Sequence, residues 1–176
     1  MRTRHLLLAT AAGMLALGTA LHASAAAGDT GATVTVTGGV LAITVPTATA
    51  DLGTRANTVP GGTISGPLGE VQVSDARSAG AGSGWVASAI STAFTPPSGP
   101  AIAASAVSYT AGAITKVGTA TYTADDPGSL TGVAPVVTAT GITGDNSATW
   151  NPTINVLVPG GMAAGVYSAI ITHSVV

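Results

Sequence analysis

Beyond residue 27 the chain holds one histidine, His173, and two tryptophans, Trp85 and Trp150, with no cysteine anywhere. That inventory restricts the chemistry at once. Catalytic triads and zinc centres draw on histidine, and one imidazole on a strand cannot build a multi-histidine metal site. Thiol and redox chemistry are excluded outright. His173 is read first as a packed or edge histidine, with a functional role as the sharper alternative. Asp125-Asp126 and Asp145-Asn146 could ligate calcium through their oxygens. Both pairs sit in turn sequences, where Asp and Asn serve the backbone, and the turn reading is preferred. No separated acid pair suits glycoside hydrolysis, and neither a phosphate loop nor a dinucleotide fingerprint occurs. Each tryptophan has two readings: a core residue, or an exposed platform on which sugar rings stack.

The elements that must position these side chains are strands. Ala148, Trp150, Ile154, Val156 and Val158 fall on alternate positions, and Tyr167, Ala169, Ile171, His173 and Val175 repeat that period of two. Pro159, Gly160 and Gly161 break the run between them. Gly165-Val166-Tyr167 has the look of a tyrosine corner, in which the hydroxyl ties a sandwich corner to nearby backbone. Upstream, ATVTVT over 32–37 and VLAITVP over 40–46 flank Gly38-Gly39 and predict a hairpin. The segment 46–65 resists placement, apart from a short strand expected near Asp51. Leu68, Val71 and Val73 mark the next strand, with Asp75 and Arg77 at its end. WVASAIST from Trp85, a strand ending near Tyr109, KVGTATYTA from Lys116 and a short run over 135–140 complete the set. Nine to eleven short strands without a helical period predict an all-β chain, a single antiparallel β-sandwich of immunoglobulin-like type.

Arg2, Arg4 and the apolar run Leu6–Leu21, followed by Ala23-Ser24-Ala25, have the form of a cleaved export signal covering residues 1–27. A membrane anchor is the alternative, but the run is short for a span and passes into small residues. Residues 28–176 then form one domain. In that part Arg55, Arg77 and Lys116 stand against seven acids, a net charge of −4. This excludes a basic nucleic-acid footprint. No later stretch is fit to cross a bilayer as a helix.

LGEVQVSDARS, GWVASAISTAF and NSATWNPTINVLVPGGMAAGVYSAIITHSV together resemble the WxL-domain surface proteins, and most closely the WxL-like secreted proteins of high-GC Gram-positive bacteria. The likeness runs from about Ala32 to Val175. It implies an exported β-rich domain held non-covalently on the cell wall through peptidoglycan. Trp85 stands at the first motif's Trp, with Ala87 in place of its Leu. His173 occupies the place of the second Trp, and Val175 that of its Leu. The resemblance therefore nominates Trp85 and His173 as binding residues. Tyr167 and His173 share a face by the period of two, and Trp85 begins its strand after a loop, so the further expectation is that Trp85 and His173 meet at one open end of the sandwich.

The expectation is a secreted, cell-surface protein that binds peptidoglycan and is not an enzyme, with no cofactor and no metal. The rival is a structural subunit that pairs with another secreted surface protein through sheet edges.

Overall fold

The computed structural model describes residues 31–78 and 80–176. They divide between two units, Met1–Thr35 and Val36–Val176. Of the first, residues 31–35 belong to no strand or helix and their side chains are exposed. The export signal expected over residues 1–27 lies outside the described residues.

The second unit is an antiparallel β-sandwich. Its nine strands are β1 (Leu41–Thr44), β2 (Gly62–Pro67), β3 (Val71–Asp75), β4 (Ser83–Ser91), β5 (Val107–Thr110), β6 (Thr115–Ala124), β7 (Ala134–Trp150), β8 (Thr153–Val158) and β9 (Ile171–Val175). One sheet runs β1-β3-β7-β4-β9, with β6 also paired to β7. The facing sheet is β2-β8-β5. Among the described residues only one 3-10 turn, Ala104–Ala106, is helical.

Strand β7 is the spine. β6 pairs along it from Val137 to Thr149, while β4 takes Ala134–Ile142 and β3 takes Asn146–Trp150. Since Thr138 and Ser147 each have β6 as one partner, β4 and β3 share the opposite edge, end to end. The sequence predicts a short strand over 135–140 and a turn at Gly144-Asp145-Asn146. Instead one 17-residue strand passes through both. Gly141 and Gly144 take positive φ, so they bend β7 without ending it.

The core follows the alternation. Val71 and Val73 on β3, Trp85, Ala87 and Ala89 on β4, and Val136, Val137, Ala139 and Ile142 on β7 are buried. Ala148, Trp150, Ile154 and Val156 also point inward. The chain nevertheless does not stay in one strand there. Asn151 and Pro152 separate β7 from β8, which lies in the other sheet. A proline has no N–H for a ladder, so the chain changes sheets while its alternate side chains stay inside.

Two further expectations are corrected. The hairpin around Gly38-Gly39 does not form: residues 32–37 lie outside any strand, and β1 pairs with β3. Neither glycine has the positive φ of a two-residue hairpin turn, and Gly39 N–H donates to the Ala76 carbonyl. The strand in the unplaced segment is β2, not the stretch near Asp51. Its glycines and proline masked it, and Gly66 is needed because a Cβ there would lie 2.5 Å from Leu52 Cα. Strands β8 and β9 lie in different sheets, β9 pairing with β4. The corner between them is as expected: the Tyr167 hydroxyl donates to the Ala163 carbonyl at 2.9 Å.

Candidate functional site

Trp85 enters β4 just after Gly84, whose missing side chain lets the Ala139 carbonyl approach; a Cβ would meet it at 2.6 Å. The indole is 2% exposed. Trp85, Ala139 and Tyr122 form one row across β4, β7 and β6. The small Ala139 in the middle lets the two outer rings meet, tilted at 52° with centroids 5.6 Å apart. Trp85 Nε1 donates to Asn146 Oδ1 at 3.1 Å, and the Tyr122 hydroxyl donates to the same oxygen at 3.1 Å. Asn146 Nδ2 is buried with no hydrogen-bond partner.

Asp75 stands opposite Asn146 in the β3–β7 register and is 1% exposed. Arg77 grips its carboxylate with two parallel bonds, Nε to Oδ1 and Nη2 to Oδ2, each 2.9 Å. The Arg77 backbone N–H donates to Asp75 Oδ1, and Nη2 also reaches the Gly84 carbonyl. This clamp closes the loop that joins β3 to β4. The Arg77 hydrogen bonds hold the Asp75 carboxyl below its ordinary range against the opposing effect of burial. Burial, and then the Asp75 charge, pushes the Tyr122 hydroxyl upward.

The second network joins the sheets. Trp150, 2% exposed at the end of β7, donates from Nε1 to the Tyr109 hydroxyl on β5 at 2.8 Å. That hydroxyl lies 3.3 Å from His173 Nε2 on β9, and the rings meet edge to face at 5.7 Å. The Tyr109 oxygen accepts from Trp150, and the direction of its bond to His173 Nε2 follows the imidazole tautomer. His173 is half-buried. Burial pushes its pKa down to about 4 and raises that of Tyr109.

Trp85 and His173 do not meet. His173 pairs with Ala89, which lies four residues along β4 from Trp85, about 13 Å of strand. Each anchors its own interior network, so the joint mouth expected from the sequence is corrected, and Trp85 presents no indole face to a ligand. Nothing in the sequence marks Tyr109, Tyr122 or Asn146 as hubs, because their partners lie 24 to 64 residues away. The turn reading fits Asp125-Asp126, just past β6, where Asp125 accepts from Thr138 Oγ1 and Asp126 from the Ala111 N–H. It fails for Asp145-Asn146, which lie inside β7, where Asp145 accepts from the Ser78 N–H. Among the described residues, no three acidic or histidine side chains gather as a metal set would.

The surface offers shallow polar relief. On the outer face of β2-β8-β5, Ser65, Asn155 and Ser108 form one row, and Ser65 Oγ donates to Asn155 Oδ1 at 2.7 Å. Beside the row lies an open depression of about 240 Å³, lined by Thr63, Ser105, Ser108, Asn155 and Leu157. A second open depression, about 370 Å³, lies between Thr92–Thr95 and Ser168–Ile170.

No family model, curated protein or solved structure matches this chain. The fold defines its class, an all-β antiparallel sandwich.

Proposed function

We propose that the protein is an exported, non-catalytic module of the cell surface that associates non-covalently with peptidoglycan. The observation that supports this reading is the open, hydroxyl- and amide-lined depression on the outer β2-β8-β5 face. A wall polymer of sugars and short peptides offers donors and acceptors along its length. A row of Ser, Thr and Asn side chains on a rigid sheet answers that chemistry without a cofactor. The groups best suited to catalysis are committed elsewhere: His173 to Tyr109, and Asp75 to Arg77. Trp85 has no part in this binding face.

Retention on purified wall sacculi tests the reading. Wild-type protein is expected in the washed pellet, and Ser108→Ala/Asn155→Ala is expected in the supernatant with an unchanged melting temperature. Wild-type protein that stays in the supernatant at both low and high salt removes the wall-binding function.

A second reading has its own observation. Strand β6 is ten residues long, is hydrogen-bonded only to β7 among the described strands, and is exposed along most of its length. Apart from Lys116 it carries no charge, and it contains no proline, so little blunts this edge against pairing with another surface protein.

A further inference from the structure

Resting on that edge reading, we propose that the partner of β6 is a second copy of this chain, which contributes its residues Thr33–Thr37 as an added strand. Two observations meet here. Residues 33–37, TVTVT, alternate as a strand should, yet belong to no strand, and Val34 and Val36 are 89% and 83% exposed. On the sheet, β6 and β7 place threonines opposite one another on the outer face: Thr119 with Thr143, Thr121 with Thr140, and Thr123 with Thr138. On the inner face β6 presents Ala120 and Tyr122, both only partly covered.

The two patterns are complementary. A strand laid along the open edge with Thr33, Thr35 and Thr37 outward extends each threonine row by one residue. The same register turns Val34 and Val36 inward beside Ala120 and Tyr122, removing exposed apolar surface from water. Such edge addition takes its affinity from main-chain hydrogen bonds and its register from alternate side chains. Neither side carries a charge that opposes it, since residues 33–37 have none and Lys116 lies outside the Thr119–Thr123 stretch.

The added strand comes from another copy because the chain's own segment cannot reach. Gly39 is tied to Ala76 beside β3. From there the vacant position beyond β6 is four strand spacings away across β3, β7 and β6, about 19 Å. Thr35 is four residues from Gly39, about 14 Å of extended chain. Each copy gives one strand and accepts one at its β6 edge, so the contact is head-to-tail.

The chain has no cysteine, which permits a clean cross-linking test. Single-cysteine variants Thr35→Cys and Thr121→Cys, purified separately and mixed under mild oxidation, are expected to give a mixed disulfide dimer. Thr35→Cys mixed with Thr63→Cys, on the other sheet, is expected to give none. The Val34→Lys/Val36→Lys variant is expected to sediment as a monomer where wild type self-associates, with an unchanged far-UV spectrum. Wild-type protein that is monomeric at its solubility limit overturns the proposal, as does equal cross-linking to the Thr63→Cys variant. A synthetic peptide of residues 31–39 separates this claim from the broader one. If it binds the lysine variant, and Thr121→Pro abolishes that binding, the open edge is confirmed as a strand acceptor even where self-association fails. No peptide binding sinks both.

Discussion

The Trp150 indole donates to the Tyr109 hydroxyl at 2.8 Å, and this bond pins β7 of one sheet to β5 of the other inside the core. Tyr109 is 1% exposed, so water cannot replace either partner. Tyr109→Phe therefore leaves a buried indole N–H unpaired and costs about 1–3 kcal/mol. Trp150→Phe removes the donor together with its need and is expected to cost less per buried polar group, although it loses ring volume. Urea unfolding of both variants checks the order. Equal stability of Tyr109→Phe and wild type refutes it.

His173 makes stability depend on pH. Its folded pKa, about 4, lies below the unfolded value near 6.5 because burial disfavours the charged ring. Between these values the unfolded chain binds more protons than the folded one. The contribution of His173 is thus complete above pH 6.5 and falls progressively toward pH 4, by about 3 kcal/mol in all. His173→Gln is expected to flatten the stability curve over that window. A curve as steep as wild type assigns the slope to another group.

Asp75 and Arg77 predict an asymmetry. Asp75 is buried, whereas the Arg77 side chain is 39% exposed. Arg77→Met leaves a buried carboxylate without its counter-charge and is expected to be destabilising. Asp75→Asn leaves an arginine that water can solvate, and is expected to cost clearly less. The Asp75 carboxyl is held below its ordinary value, so its contribution is present above that value and lost as pH falls through the folded pKa. In Arg77→Met the acid transition is expected to move to higher pH. Thermal melts from pH 2 to 7 measure both effects.

Trp85 tests whether the proposed wall association depends on this indole or on the outer sheet face. Trp85→Phe keeps most of the buried ring, while Asn146 Oδ1 retains Tyr122 as a donor. It is expected to lose about 1–2 kcal/mol of stability and keep its full retention on sacculi. Trp85→Ala is expected to lose about 3–5 kcal/mol. A folded Trp85→Phe variant that no longer binds wall would return Trp85 to the binding site.

Alternation in the sequence was enough to establish an all-β chain, and to identify the inward faces of β3, β4, β8 and β9 with both tryptophans as core candidates. The spacing around Gly165-Val166-Tyr167 likewise announced the corner bond to Ala163. These are local properties, since a period of two decides which side chains share a face wherever the strand goes. Where each strand goes was not decided locally. Gly38-Gly39 suited a hairpin, but the Ala76 carbonyl took the Gly39 N–H and β1 paired with β3. Gly144-Asp145-Asn146 suited a turn, but β6 pairs with β7 on either side of it, at Thr143 and Ser147, and β7 stays continuous. Trp85 and His173 were expected to meet, yet register separates them, because a hydrogen bond such as Trp85 to Asn146 spans 61 residues and exists only once the sheets have closed.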